Sequence, residues 1–460
     1  MSTTATAFLR TEGRRFVDGS GSPVRLRGVA VGGWLNMENF ITGYSGNESL
    51  MRATVRDVLG DHRYELFFER LLTAFFGEDD ARFLAEAGLN CVRIPVNYRH
   101  LEDDARPFEI KEEGFRHLDR AVDACARHGV YSVIDLHALP GSQNHHWHSD
   151  NPTHRPFFWD HPHFQDRVVN IWEAIADHYK GNPWVAGYNP INEPADESRQ
   201  VIGPFYRRLV EAIRKVDPDH ILFLDGNTYS TEFDVFSRGW DDTVYVCHDY
   251  AAPGLDGGDY PGVTGGKYYD RAALEAQYRE RTEYSRRTGT PVWVGEFGPI
   301  YTGEERVDAM RRQILDDQLD IYRRDEASWS IWMYKDLGRQ GLVMLRPNSP
   351  YRRRFDDFVA KKNRLGADQW GSDGLGVREV TQPFYELMDR EFPSFNPYPW
   401  GRFDWARTLL LNITLAQPLA YEYAERFRGL DDDELMALAD SFALTNCDIR
   451  TSLLDRLRVG

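Results

Sequence analysis

Long apolar runs are missing from this 460-residue sequence, and positive charge is in deficit. No stretch approaches the run of about 18 apolar residues that a membrane-spanning helix needs. The 55 Lys and Arg residues face 72 Asp and Glu residues, which gives a formal net charge of −17. Such a chain repels phosphate backbones and anionic lipid, which argues against nucleic-acid and membrane-surface roles. The composition favours a neutral or cationic small molecule as the ligand.

Cysteine is scarce, and the sequence has no Cys-x-x-Cys pair. The four cysteines are far apart, at Cys91, Cys125, Cys247 and Cys447. This spacing argues against zinc binding and predicts buried free thiols rather than disulfides. The first ten residues show no basic segment followed by an apolar core, as a secretory signal would. We therefore expect a cytoplasmic protein.

Short apolar, β-branched runs alternate with segments of helical spacing over most of the chain. The predicted strands are 24–31, 90–95, 131–136, 185–191, 221–224, 243–247, 291–295 and 329–333. The predicted helices are 80–87, 114–128, 166–179, 201–216, 271–287 and 307–324. Eight such units favour the α/β fold of a closed (β/α)8 TIM barrel over an open doubly wound sheet. No Gly-x-Gly-x-x-Gly opens a helix after a strand, which argues against dinucleotide binding.

The segments flanking these units predict two additions to the barrel. Residues 15–24 have the pattern of a short hairpin with a Gly-rich turn, which would close the barrel bottom. Helical spacing over 408–427 and 431–457 predicts a helical C-terminal extension. We expect a barrel domain over 1–365 and an extension over 366–460 packed on it. The sequence leaves open whether the extension covers the active site, forms a subunit interface or packs underneath.

Polar residues gather at the predicted carboxyl ends of the strands, where barrels of this kind hold their active sites. Two of them, Glu193 and Glu296, directly follow the apolar runs of strands four and seven. Paired carboxylates are what glycoside hydrolysis requires, one as acid and one as nucleophile or base. A single glutamate at a strand end is more often a helix cap or a surface ion-pair partner, but two in this register favour catalysis. The acid needs a raised pKa, whereas the nucleophile must stay ionised.

Seven ordered motifs extend this pattern over about residues 14–340. They are Leu26-Arg-Gly-Val-Ala-Val-Gly-Gly-Trp34-Leu, Asn90-Cys-Val-Arg93-Ile-Pro-Val, Asp135-Leu-His137-Ala-Leu-Pro-Gly-Ser-Gln-Asn144, Asn189-Pro-Ile-Asn192-Glu193-Pro194, His248-Asp-Tyr250, Trp293-Val-Gly295-Glu296-Phe297-Gly298 and Trp329-Ser-Ile-Trp332-Met-Tyr-Lys335. In this order they resemble glycoside hydrolase family 5, the cellulase-type group of retaining (β/α)8 enzymes. Their form is most similar to the exo-β-glucanase and related exo-glycosidase branches.

The resemblance implies a role for each site residue. It makes Glu193 the acid/base and Glu296 the nucleophile. The further implied roles are Asn192 binding the sugar 2-hydroxyl, Arg93 and Tyr250 holding the nucleophile, His137 and His248 lining the sugar site, and Trp332 stacking on the sugar. Ala30 stands where the family often has Asn, which leaves substrate choice at that wall less defined.

Together these patterns predict a retaining exo-β-glycosidase acting on a small β-glucoside or β-mannoside, with long loops walling off the cleft. The alternatives are an endo-β-glucanase or endo-β-mannanase with an open groove, and a non-catalytic sugar-binding barrel. The seven histidines within 137–163 are interpreted as part of a loop lining the sugar pocket rather than a metal site. We expect no cofactor and no metal, and a homo-oligomer is left open.

Overall fold

Eight parallel strands close into a barrel in the computed structural model, which describes residues 7–236, 239–255, 257–368, 370, 372 and 374–459. In chain order they are β1 (Arg27–Ala30), β2 (Cys91–Asn97), β3 (Tyr131–Ala138), β4 (Val185–Asn189), β5 (Ile221–Asp225), β6 (Thr243–His248), β7 (Val292–Glu296) and β8 (Ser328–Ile331). Each strand lies on one of the eight predicted runs, and β8 pairs with β1 to complete the circle. The predicted (β/α)8 barrel is confirmed.

The strands are apolar because both of their faces are covered. Every residue of β2 and of β4 to β8 is buried, so no alternation with polar residues is required. Amphipathic helices pack around the barrel at all six predicted segments. They are Glu78–Glu86, Arg116–Arg127, Pro162–Tyr179, Ile202–Val216, Arg271–Arg281 with Glu283–Thr288, and Glu305–Arg324.

The N-terminal segment covers the bottom of the barrel, as predicted. The hairpin Arg15–Val17 with Pro23–Val24 gains a third antiparallel strand, Arg10–Glu12. Phe16 stacks on Phe223 of β5 with ring centroids 6.0 Å apart. These residues belong to an apolar cluster with Trp293 and other inward-facing side chains of the strands.

A long helix after β1, Glu48–Phe75, was not predicted. Gly60 interrupts it with φ 71°, a left-handed conformation that favours glycine, and this break obscures the helical spacing. Its apolar side chains also pack on partners distant in sequence. Phe67, for example, meets Phe427 edge-on at 5.1 Å between ring centroids.

The C-terminal region is mainly helical, with one correction. Its helices are Pro350–Arg364, Arg378–Glu391, Gly401–Arg407, the π-type helix Thr408–Thr414, Ala416–Glu425, Asp432–Asp440 and Thr451–Val459. The expected helical segment 431–457 is wrong as a single helix, because Cys447–Ile449 forms a strand paired with Val343–Leu345. Two of these helices pack on the long helix Glu48–Phe75. The division of the chain at residue 365 stays a prediction.

Two further findings concern cysteine and apolar helices. All four cysteines are buried and free, as predicted. Among the described residues, no helix has the length and apolar character needed to cross a membrane.

Candidate active site

The mouth of the barrel holds a cavity of about 520 Å³. Six of the eight predicted site residues line it, namely His137, Glu193, His248, Tyr250, Glu296 and Trp332. Arg93 and Asn192 are not among the lining residues and are fully buried. All eight nevertheless belong to one connected set of contacts. The roles assigned to them by resemblance stay predictions.

The two glutamates face each other across this cavity. A carboxylate oxygen of Glu193, one of Glu296 and a ring nitrogen of His248 all lie within 4.8 Å of one another. This spacing is close enough for three ligands of one metal ion. The positive guanidinium of Arg93, 2.6 Å from Glu296 Oε1, supplies a cationic partner there without a metal.

Glu296 is held at both of its oxygens. Arg93 donates to Oε1 at 2.6 Å, and the Tyr250 hydroxyl donates to Oε2 at 2.8 Å. Arg93 is fixed in turn by a hydrogen bond of 2.7 Å to Asn192 Oδ1 and an ion pair of 3.1 Å with Asp135. A buried cation and a phenol donor therefore both hold the Glu296 carboxylate in place.

Glu193 sits at a bend of the chain four residues after Asn189, the last residue of β4. Its φ is +45°, a left-handed conformation that is uncommon for residues other than glycine. Its backbone N–H donates to Asp225 Oδ2 at 2.9 Å, which anchors this bend to the end of β5. The neighbouring strand thus fixes the backbone that carries the carboxylate.

Two imidazoles contact the Glu193 carboxylate. His248 Nδ1 lies 2.6 Å from Oε1, and His148 Nε2 lies 3.1 Å from Oε2. Burial raises the pKa of Glu193, but the charge of His248 and the hydrogen bonds from both histidines outweigh it and set the pKa well below its usual value. The sequence-based expectation of a raised pKa is therefore wrong. Burial lowers the pKa of His248, but the charges of Glu296 and Glu193 outweigh it and raise that pKa overall.

His248 Nδ1 and Glu193 Oε1 form a single short hydrogen bond of 2.6 Å. Coupled groups of this kind titrate together, so the proton belongs to the pair rather than to one residue. A shift of that proton from His248 Nδ1 to Glu193 Oε1 produces a neutral carboxylic acid facing the cavity. The site therefore contains one carboxylate held by a guanidinium and a phenol, and one hydrogen-bonded to an imidazole.

His137 and Trp332 form the opposite part of the cavity wall. Their rings are nearly parallel, at 10° with centroids 5.5 Å apart. Burial opposes the charge on His137, but Asp135, 2.7 Å from Nδ1, raises the pKa of His137 to about 10. A cationic imidazole beside an indole face offers both a donor for hydroxyls and a platform for a sugar ring.

Glu38 is a wall residue that the sequence reasoning missed. Its Oε1 lies 3.4 Å from His137 Nε2, and the side chain is buried while lining the cavity. The residue lies in the loop after β1 rather than at a strand end, so the strand-end rule does not find it. Its place after the Gly-Gly-Trp motif was the available signal.

The C-terminal extension supplies four further lining residues that the sequence reasoning missed. Trp370, Trp400, Asp404 and Arg407 all line the cavity. Trp370 stacks on Phe40 at 5.5 Å and meets Tyr250 edge-on at 4.9 Å. No motif marks these residues, which lie 74 or more positions after Glu296 in the sequence. Part of the extension therefore contributes to the active-site wall, one of the arrangements that the sequence had left open.

Known proteins resemble this chain along most of its length. The model of the family Cellulase (glycosyl hydrolase family 5) matches residues 72–338. A beta-xylosidase from Phanerodontia chrysosporium is 46% identical to this chain, and the match covers 97% of this chain and 97% of the relative's length. A probable glucan 1,3-beta-glucosidase A from Aspergillus fumigatus is 27% identical over 69% of this chain and 85% of its own.

Solved structures resemble it in fold. A rutinosidase from Aspergillus niger covers 68% of this chain and 90% of its own, with a TM-score of 0.52 at 19% identity. An endogalactoceramidase covers 77% of this chain and 78% of its own, with a TM-score of 0.55 at 17% identity. The family match over more than half of the chain and the 46% identical relative carry the assignment: this chain belongs to glycosyl hydrolase family 5, and it is a glycosyl hydrolase.

Proposed function

We propose that this enzyme is a retaining exo-β-glycosidase in which Glu296 is the nucleophile and Glu193 the acid/base. The observation that carries the proposal is the spacing of the glutamates, whose nearest carboxylate oxygens lie within 4.8 Å. Retaining glycosidases place the two carboxyl groups about 5–5.5 Å apart, whereas inverting enzymes need about 6.5–9.5 Å to fit a water. The short spacing supports direct attack by a glutamate.

The contacts of the two residues support the assignment of roles. Glu296, held in place by Arg93 and Tyr250, attacks the anomeric carbon. The bond to the leaving group breaks, and its oxygen takes the proton that Glu193 shares with His248. Water then gives a proton to Glu193 while the water oxygen displaces Glu296 from the sugar, which restores the starting site.

The walls of the cavity support exo action on a short substrate. The side of the cavity nearest His137 and Tyr250 is bounded by Glu38, Trp332 and Trp370. A polymeric substrate would need an open groove on that side. For the sugar we propose a terminal β-xyloside first, because the 46% identical relative is named a beta-xylosidase. A β-glucoside is second, since a 27% identical relative carries a glucosidase name. None of these names supports the expected mannoside.

A panel of aryl glycosides tests this proposal. We expect release of aryl β-xyloside or β-glucoside to exceed release of the β-mannoside and β-galactoside, and short oligosaccharides to lose single units from one end. Initial products from a mixture of chain lengths would show the mode of attack. Mid-chain cuts in a soluble polymer would establish the endo alternative, and binding of sugars without turnover of any glycoside would establish the non-catalytic one.

A further inference from the structure

We propose that Trp400, on the C-terminal extension, is the stacking platform for the leaving group, and that this leaving group is a second pyranose. The inference rests on the proposed function and adds to it the class of the group released. The extension would then determine specificity on the side of the cavity that the eight predicted site residues do not reach.

The first observation is the position of Trp400 relative to the acid. The general acid of a glycosidase lies beside the oxygen of the leaving group. From Glu193 a row of rings runs outward: His148 contacts Glu193, its ring lies 6.1 Å from Tyr229, and Tyr229 lies 5.4 Å from Trp400. Trp370, in contrast, meets Tyr250 on the side of Glu296. The two tryptophans of the extension therefore face different halves of the reaction.

The second observation is the exposure of the indole. Trp400 is 50% exposed although it lines the cavity, whereas Trp332 is only 2% exposed. An exposed indole that lines the cavity can offer its face to the apolar C–H face of a pyranose. Its open surface is available to a group that enters with the substrate.

Polar groups beside the indole favour a sugar over an apolar leaving group. Asp404 and His146 line the same part of the cavity, with His146 Nε2 lying 3.5 Å from Asp404 Oδ2. Burial raises the pKa of Asp404, but His146 outweighs it and lowers the pKa overall, so this carboxylate stays ionised. A carboxylate and an imidazole in the cavity wall suit the hydroxyl groups of a sugar better than an alkyl chain.

The backbone that carries Tyr229 is held in an unusual conformation. Thr228, Tyr229 and Ser230 have φ values of 50°, 58° and 62°, three successive left-handed residues. Such strain persists only where surrounding contacts impose it, and it clusters at functional sites. The contacts here include Tyr229 N–H to Pro194 O at 3.2 Å and the Thr228 hydroxyl to the Tyr398 hydroxyl at 2.7 Å. The strained turn thus connects Pro194, which directly follows Glu193, with Tyr398 of the extension.

Matched substrates with and without a leaving-group sugar test the inference. Xylobiose is compared with β-xylosyl fluoride, and cellobiose with β-glucosyl fluoride, because fluoride occupies no sugar site. We expect Trp400→Ala to lower the ratio of kcat/KM for disaccharide to that for fluoride about tenfold, and Trp400→Phe to restore most of it. Phe403→Ala is the control, since Phe403 is also 50% exposed and is not among the cavity-lining residues.

The outcomes separate this inference from the proposed function. Wild-type enzyme that cleaves neither fluorides nor disaccharides would overturn the proposed function. Wild-type turnover with an unchanged ratio in Trp400→Ala would overturn the inference alone. A larger loss on octyl β-xyloside than on xylobiose would also overturn it, because the platform would then hold an apolar leaving group. Hydrolysis of the fluorides by the variants reports that they are folded.

Discussion

At the scale of single residues, the buried guanidinium of Arg93 organises the floor of the site. It contacts Glu296 and Asn192, both of them predicted site residues, and also Asn189 and Asp135. Asn192 was predicted to bind the sugar 2-hydroxyl, yet its Oδ1 accepts from Arg93 and its Nδ2 lies 3.3 Å from His137 Nε2. Asn192 therefore lies between Arg93 and His137.

Replacing the acid should affect substrates according to their leaving groups. We expect Glu193→Ala to lower kcat/KM on a disaccharide by about 10²–10⁴-fold, the usual contribution of general acid catalysis. The first step on a dinitrophenyl glycoside should be spared, since that leaving group needs no proton. Burst kinetics on both substrates measure this step. Glu197→Ala, which removes an exposed carboxylate four residues away, is the control. Equal losses on both substrates would contradict the role of Glu193.

The shared proton predicts the pH dependence. The pair of Glu193 and His248 is active when it holds one proton, and it loses that proton as pH rises through the raised pKa of His248. We therefore expect kcat/KM for a substrate with a poor leaving group to stay high above about pH 6.5, the ordinary pKa of histidine, and to decline only at higher pH. The same profile on a dinitrophenyl glycoside should lack this decline. A decline with rising pH whose midpoint lies already below about pH 5 on the poor leaving group would show that Glu193, with its usual pKa near 4.3, titrates alone.

At the scale of secondary-structure elements, one buried lysine joins the extension to the loop that carries Glu38. Lys362, on helix Pro350–Arg364, pairs with Asp368 at 2.8 Å and donates to the carbonyls of Asn39 and Tyr44. Burial lowers the pKa of Lys362, while Asp368 acts in the opposite direction. The loop after β1 is therefore held in place by the region that follows the barrel.

Removal of this cation should destabilise the fold. We expect Lys362→Met to lower the free energy of unfolding by about 3–5 kcal/mol, because Asp368 is left as an uncompensated buried charge. The double variant with Asp368→Asn should recover part of the loss. Denaturant unfolding measures both, with Lys361→Met as the control because Lys361 makes only a partly exposed pair with Glu422. A loss below about 1 kcal/mol in Lys362→Met would contradict this account.

Elements could be predicted from the sequence where local pattern and burial agree. The strands were found because both faces are covered, which leaves continuous apolar runs such as Ile221–Asp225. The helix Glu48–Phe75 was missed because Gly60 breaks its spacing. The strand Cys447–Ile449 was missed because its stability comes from pairing with Val343–Leu345, about a hundred residues away.

At the scale of the whole molecule, the barrel and the C-terminal region build the candidate site together. The strand ends predicted the floor of the candidate site, because the barrel geometry places every carboxyl end at one mouth. Trp400 and Asp404 lay beyond such reasoning, since only tertiary packing brings them to the cavity. The pKa of Glu193 was also beyond it, because its direction depends on His148 and His248 contacting the same carboxylate.

Trapping the covalent intermediate tests the central claim most directly. A 2-deoxy-2-fluoro-β-xyloside or β-glucoside with a dinitrophenyl leaving group slows both steps but leaves formation of the intermediate possible. Intact-mass measurement followed by peptide mapping should place one fluorosugar on Glu296, and Glu296→Gln should take up none. A label on any other residue, or turnover of the parent glycoside with initial release of the inverted anomer and no adduct, would contradict the account.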